Sequence, residues 1–209
     1  MHIYAFGSLC RGDIDTDSDI DLLAVVEGHE PRVSPSTFSI YSYQRIKDLW
    51  SEGNPFAWHL ALESRLVFTH DESDYLRSLG TPSRYRNCTR DCQKFFELFK
   101  QALRSLESGG GNKVFELSTI FLSVRNIATC FSLGIGKQPD FSRRSALRLD
   151  EKKAPLSDNA YSLLIRARVL STRAFGAKLG SGEVTQVLEE LPRVQDWMAR
   201  LVDESKSYE

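Results

Sequence analysis

Short apolar runs alternate with polar loops containing glycine or proline over the first third of the chain. Runs of this length, when rich in β-branched and aromatic residues, are typical of strands, and runs with helical spacing are typical of helices. The predicted strands cover residues 2–6, 20–26, 37–41 and 65–69, and the predicted helices cover residues 44–51 and 55–63. This order predicts a compact α/β unit that ends near His70.

From about residue 83 onward, apolar residues recur at helical spacing. The predicted helices cover residues 90–106, 114–133, 141–149, 158–175 and 183–206. Gly134 is expected to cap the second of these, and Ser142 and Ser157 are expected to begin the next two. Pro192 is expected to kink or restart the last helix. Four main helices joined by short links predict an antiparallel bundle.

These patterns predict an α+β protein with a small mixed β-sheet domain in residues 1–82 and an antiparallel helical bundle in residues 83–209. The composition changes this picture little, since 41% hydrophobic and 26% charged residues are ordinary for a globular protein. A formal net charge of -1 gives no sign of attraction between the whole protein and nucleic acid or membrane.

Neither a membrane span nor a signal peptide is expected. Lys and Arg interrupt every apolar run, and the chain enters a strand at once, without the basic and apolar regions of a signal peptide. We therefore expect no contact with a membrane and a cytoplasmic location.

The candidate chemistry lies where the first predicted strand ends and the second begins. Asp19 and Asp21 are two residues apart at a strand start, so their carboxylates are expected to lie side by side and to bind a hard cation such as Mg²⁺. Gly7 allows the backbone to approach a phosphate closely, and Ser8 adds a hydroxyl. The neighbouring strand residues predicted to face a core are Ile20, Leu22 and Ala24.

Alternating acids also raise the possibility of a calcium loop. An EF-hand loop beginning at Asp13 would need glycine in place of Ser18 and glutamate in place of Ala24, and neither is present. Asp13, Asp15 and Asp17 are interpreted as solvated loop residues. Asp19 and Asp21 are different, because acids at the start of an apolar strand carry a desolvation cost that a bound cation would offset.

The segment over residues 3–26 resembles the signature of the DNA polymerase β-type nucleotidyltransferase superfamily. The matching motifs are Gly7-Ser8, Arg11-Gly12 and Asp19-Ile20-Asp21-Leu22-Leu23. The helical second half is similar in layout to the bundles of aminoglycoside nucleotidyltransferases and of minimal nucleotidyltransferase/HEPN pairs. The resemblance thus implies a nucleotidyltransferase domain followed by a bundle that binds substrate or partner, whether a second copy of the chain or another protein.

What the resemblance implies chemically is transfer of a nucleoside monophosphate from a nucleoside triphosphate to an acceptor hydroxyl, with release of pyrophosphate. Asp19 and Asp21 would bind two Mg²⁺ ions, or Mn²⁺ in their place. Gly7 and Ser8 would hold the β- and γ-phosphates, and Arg11 would reach a phosphate. A small molecule, a protein or an RNA would serve as acceptor.

The sequence departs from this family at the third carboxylate, which usually lies on the following strand. Thr37, Ser39 and Tyr41 occupy the corresponding face here, and none is an acid. Three other acids are candidates for the missing carboxylate, although a surface or structural role is the simpler interpretation of each. They are Glu63, Glu97 and Glu116. His59 is a further candidate for the base. A catalytically weakened module that binds a nucleotide or a partner, antitoxin-like or regulatory, is therefore the alternative hypothesis.

The helical half carries two further patterns. Arg125-Asn126 begins the motif that RNA-cutting HEPN domains use, but no histidine follows at residues 130–132, so ribonuclease activity is not expected. Arg125 and Asn126 are instead expected to make buried hydrogen bonds between helices. A set of arginines would bind the triphosphate or an anionic acceptor such as RNA, unless they simply form the solvent-exposed face of their helices. They are Arg143, Arg144, Arg148, Arg166, Arg168 and Arg173.

Overall fold

The computed structural model describes residues 1–13, 20–109, 111–136 and 138–208. The chain divides into two compact units, Met1–Arg86 and Asn87–Glu209. The first unit contains a small mixed sheet with short helices, and the second is helical, so the predicted α+β class is confirmed. The separate roles expected for residues 1–82 and 83–209 stay predictions.

The sheet of the first unit has four described strands in the order β3-β2-β1-β4. The strands are β1 (His2–Phe6), β2 (Asp21–Val26), β3 (Phe38–Ser42) and β4 (Ser64–Thr69). Strand β1 pairs antiparallel with both β2 and β4, whereas β2 pairs parallel with β3. The beginning of β2 therefore lies beside the last residue of β1, Phe6. The end of β4 lies beside the first residue of β1, His2.

The helices of the first unit are α1 (Ser8–Arg11), α2 (Tyr43–Ser51), α3 (Pro55–Glu63) and α4 (Tyr75–Ser78). Polar side chains begin three of them by accepting a hydrogen bond from a free backbone N–H. The capping residues are Ser42, Asn54 and Asp74. Pro55 takes the first position of α3, where its missing N–H costs nothing, which is why this helix begins where the sequence predicts.

Both faces of strand β2 are covered, which corrects the predicted direction of the core. Leu23 and Val25 belong to the larger cluster, packed beneath α2 and α3, whereas Ala24 belongs to a smaller cluster on the other face. Ile20 is 65% exposed and Leu22 is half-buried, so the predicted core set holds for Ala24 alone. A continuous apolar run does not reveal which face meets the larger core, because a strand buried on both sides has no polar alternation.

In the second unit, the described residues form four long helices and two short 3₁₀ turns, Ser145–Leu147 and Asp150–Lys152. The helices are α5 (Cys88–Glu107), α6 (Lys113–Gly134), α7 (Asp158–Arg173) and α8 (Ser181–Lys206). Helix α6 packs against the other three, and its buried residues lie on every side of it. Pro192 lies inside α8, which is assigned as one continuous helix.

Two details of this unit differ from the sequence predictions. Gly134 is the last residue of α6 rather than its cap, because Ile135 takes that position with φ -126°. The helix predicted over residues 141–149 is absent from this described segment apart from a 3₁₀ turn. Its first carbonyls, those of Phe141 and Ser142, accept hydrogen bonds of 2.7 and 3.3 Å from the guanidinium of Arg125. Arg125 thus joins α6 to the loop that follows it, and the hydrogen bonds expected from Arg125 and Asn126 between helices stay a prediction.

The expectation that charged residues exclude every membrane span also needs correction. Helix α6 is long and apolar enough to cross a membrane by length and composition, with a mean hydropathy of 1.3 over its most apolar window. Within the helical unit, 61% of that window is buried. A core helix surrounded by other helices has this composition for the same reason as a membrane span, since all its sides face apolar surroundings.

Candidate active site

The end of β1 and the start of β2 meet at a tight corner. The antiparallel register pairs Phe6 with Asp21, so Gly7 follows directly beside the Asp21 carboxylate. Gly7 has φ +74° and ψ -135°, a backbone conformation that side chains disfavour. A Cβ added at Gly7 would lie 2.9 Å from Asp21 Oδ2. The backbone conformation therefore favours glycine here, and a Cβ would in addition make the end of the flexible Asp21 side chain move away.

The structure thus brings together three of the five predicted site residues, namely Gly7, Ser8 and Asp21. Asp21 is exposed, so the desolvation cost expected for an acid at this position does not apply to it. Asp19 lies outside the described residues, so the expected pairing of the two carboxylates stays a prediction. The metal and phosphate roles of the other residues are likewise predictions.

Arg11, the remaining predicted residue, lies at the end of the short helix α1. Its guanidinium forms an ion pair with Glu63, and its Nε is 3.4 Å from Asp13 Oδ2. The side chain of Arg11 is 18% exposed. Because two carboxylates already neutralise this guanidinium, a contact with phosphate would have to compete with them.

Glu63 connects the last turn of α3 to the corner in two ways. Its backbone oxygen accepts a hydrogen bond of 3.1 Å from the N–H of Gly7, and its carboxylate binds Arg11. His59, one helical turn earlier, has Nε2 3.0 Å from Glu63 Oε2 and 3.8 Å from the position of a Gly7 Cβ. The sequence favours a surface or structural role for each of these two residues, and their spacing of four residues is the signal in the sequence that links them.

The acids considered as a third carboxylate occupy different surroundings. Glu63 lies at the corner, as described above. In the helical unit, Glu97 pairs with Lys100 at 2.6 Å and Glu116 accepts a hydrogen bond of 2.8 Å from Ser105. Strand β3 offers no acid, and its register places hydroxyl-bearing Ser39 opposite Leu23, on the face that alternation assigns to Asp21. Within the first unit, Glu63 thus lies next to Gly7, and its role as a third carboxylate stays a prediction.

Several of the arginines considered for an anionic acceptor have partners within the helical unit. Arg166 pairs with Glu183, and Arg144 Nη1 is 3.4 Å from Asp158 Oδ1. Arg168 donates to Ser118 Oγ at 3.4 Å, and burial lowers the pKa of its guanidinium. These contacts hold helices and loops together, which favours the structural interpretation for this group.

Comparison with protein-family models gives a match for the first unit. Residues 2–81 match the model described as a nucleotidyltransferase domain. No curated protein and no solved structure matches the chain significantly. The family match leaves out the helical unit, so the likeness of that unit to HEPN bundles stays a prediction.

The matched residues contain the whole four-stranded sheet and the Gly7-Ser8 corner. They also contain Asp21 and the two α3 residues next to Gly7, His59 and Glu63. The match supports transfer of a nucleoside monophosphate as the general activity. The first unit of this chain is a nucleotidyltransferase domain and belongs to the nucleotidyltransferase superfamily.

Proposed function

We propose that this protein is a Mg²⁺-dependent nucleotidyltransferase that moves a nucleoside monophosphate from a nucleoside triphosphate to the hydroxyl of an acceptor and releases pyrophosphate. The acceptor is a small molecule, a protein or an RNA, and the proposed location is the cytoplasm. The observation that carries the proposal is the 2.9 Å separation between a Cβ position on Gly7 and Asp21 Oδ2, inside the matched domain.

The residues at the corner fit a hard divalent cation. Asp21 presents an exposed carboxylate, and carboxylate oxygens are the ligands that Mg²⁺ prefers. Asp19 and Asp21 would hold the ions, which in this family offset charge on the attacking and leaving oxygens. Gly7 has no side chain, so its backbone and the Asp21 carboxylate can lie close together, where both would meet a triphosphate.

The other corner residues position these groups. Glu63 fixes the end of β1 through the N–H of Gly7 and fixes α1 through Arg11, so Ser8 lies on a segment held at both ends. His59 and Glu63 are the proposed candidates for the base that takes the acceptor proton, since the base must lie near the transferred phosphoryl group. Binding of the triphosphate beside Arg11 would release Glu63 from part of its ion pair.

A second candidate function rests on strand β3, whose residues carry no acid. A domain that keeps Asp21 and Gly7 but lacks an efficient base would bind nucleotide with little turnover, and it would serve as a regulatory or antitoxin-like module. Nucleotide binding without pyrophosphate release would favour this candidate.

The deciding experiment incubates the full chain with Mg²⁺ and each labelled nucleoside triphosphate, and measures pyrophosphate release with model hydroxyl acceptors. We expect Asp21→Asn and Asp19→Asn each to lower the rate about 100-fold or more, because each change removes a charge that holds the cations. Glu27→Gln is the matched control, since Glu27 is exposed and follows the far end of the same strand β2. Release that is unchanged by both aspartate variants would contradict the proposed site.

A further inference from the structure

A second group of possible metal ligands lies at the opposite end of the central strand. His2 begins β1 and pairs with Thr69 of β4, so the residues that follow β4 fold back over it. One ligand atom from each of His2, His70 and Asp71 lies within 4.8 Å of the others. At about 3.3 Å per strand residue, the length of β1 separates this group from the Gly7 corner by about 16 Å.

The distances within this group suit a small tetrahedral cation. His2 Nε2 is 3.2 Å from Asp71 Oδ1, and His70 Nε2 is 3.8 Å from Asp71 Oδ2. Ligands at about 2.0–2.2 Å from a tetrahedral Zn²⁺ lie about 3.3–3.6 Å from one another. Small side-chain movements would therefore bring the three ligands into range.

Outer contacts already orient these three side chains. Tyr43 Oη is 2.7 Å from His2 Nδ1, and His2 Nε2 lies 3.2 Å from Asp71 Oδ1 and 3.1 Å from Ser73 Oγ. Hydroxyls of Thr69 and Ser73 both donate to Asp71 Oδ1 at 2.7 Å. The Met1 amino nitrogen and backbone oxygen lie 2.6 and 3.2 Å from His70 Nδ1. Hydrogen bonds to the second nitrogen of a histidine and to a ligating carboxylate are the usual supports of a metal site.

Burial and charge also favour a cation with nitrogen ligands. His2 is 2% exposed, so a cation held by its ring nitrogen would be largely shielded from water. The carboxylate of Asp71 adds an oxygen ligand with negative charge beside the two imidazoles, which favours a divalent cation. Imidazole suits Zn²⁺ better than Mg²⁺, because Mg²⁺ selects oxygen ligands.

We propose that His2, His70 and Asp71 form a binding site for a divalent transition-metal ion of the Zn²⁺ class, separate from the Mg²⁺ site at the Gly7 corner. Three protein ligands leave a fourth position for water. The ion would join the start of β1 to the segment after β4. It would add to the backbone hydrogen bonds by which β1 and β4 pair. The site is independent of the proposed transferase activity, because its residues lie outside the Gly7 corner.

The test titrates Zn²⁺ into the metal-free full chain by calorimetry and records the visible absorption of Co²⁺ in its place. We expect one saturable site, a higher melting temperature with Zn²⁺, and Co²⁺ bands of tetrahedral intensity. His70→Ala and Asp71→Asn should each weaken Zn²⁺ binding at least about 10-fold, and both residues are exposed, so the fold should survive.

His29→Ala is the matched control, because His29 is an exposed histidine of the same unit outside the cluster. Its Zn²⁺ affinity should equal that of the unchanged protein, and so should the affinity of Asp21→Asn. Absence of saturable binding, or equal affinity in His70→Ala and Asp71→Asn, would overturn the proposal. Loss of Zn²⁺ binding in Asp21→Asn would also overturn it, since the ion would then occupy the Gly7 corner.

Discussion

At the scale of single residues, Gly7 matters because it has no side chain. Its backbone conformation is strained for any side chain, and the space where a Cβ would stand is next to the Asp21 carboxylate. Many glycines meet one of these conditions. Gly7 meets both, at the end of a strand and beside an acid. Its substitution should therefore affect both the turn and the candidate site.

We predict that Gly7→Ala destabilises the protein by about 1–3 kcal/mol, because alanine must adopt a disfavoured backbone conformation and displace the Asp21 carboxylate. Pyrophosphate release should fall with it. Urea unfolding and the transferase assay measure the two effects.

The matched control is Gly28→Ala, since Gly28 has φ +68° and open space where its Cβ would lie. This variant should lose stability for the backbone reason and keep its activity. Equal loss of activity in both variants would mean that the approach to Asp21 has no special role.

Single residues also show which contacts could be predicted from the sequence. The motif at Gly7 and Asp21 predicted their meeting, because the antiparallel pairing of two short neighbouring strands is a local property. The cluster of His2, His70 and Asp71 could not be predicted in this way, since it depends on the register of β1 with a strand more than sixty residues away. Nothing local in the sequence specifies such a register.

At the scale of elements, helix starts were the most predictable features and loops the least. Pro55 and Ser157 begin α3 and α7 as predicted, because proline fits the first helical position and a serine oxygen binds a free N–H within a few residues. The helix predicted over residues 141–149 is reduced to a 3₁₀ turn, whose local hydrogen bonds span three residues. The carbonyls of Phe141 and Ser142 also bind Arg125 of α6, a contact that local helix signals do not reveal.

The start of α8 gives a prediction about pH. Glu183 accepts a hydrogen bond of 2.8 Å from the N–H of Gly180 and pairs with Arg166, and the contact with Arg166 is the main reason that its pKa is lowered. A carboxyl with a lowered pKa stabilises the fold above its unfolded pKa, near 4.5, and this contribution is lost as the pH falls through the folded pKa.

We therefore expect Glu183→Gln to be less stable than the unchanged protein at pH 7, with the difference shrinking below about pH 4.5. Urea midpoints at pH 7 and pH 4 measure it. Glu189→Gln, an exposed change on the same helix, should show little difference at either pH. A difference for Glu183→Gln that is independent of pH would assign its effect to packing instead of charge.

At the scale of the whole molecule, each unit has its own buried residues. The first unit contains the cluster of Tyr4, Leu23 and Ile46, and the second buries Phe99 and Tyr161 among its helices. A unit with a separate core is expected to fold separately. The family match to residues 2–81 agrees with this, since it ends inside the first unit.

We predict that a fragment of residues 87–209 folds on its own into a helical protein that unfolds in one cooperative transition. Circular dichroism during heating measures this. The fragment should bind neither Mg²⁺–triphosphate nor Zn²⁺, because both proposed sites belong to the first unit. A fragment that is helical but melts without cooperativity would show that its core is incomplete.

The apolar surroundings of α6 have a consequence during synthesis. Helices α7 and α8 contact α6 but leave the ribosome after it. Until they arrive, a 22-residue apolar segment stands partly uncovered, and chaperones and membrane-insertion factors bind segments of that kind. Helix α5 is made before α6 and covers part of it, so we expect α7 and α8, in the last third of the chain, to complete this cover and to limit aggregation of the nascent molecule.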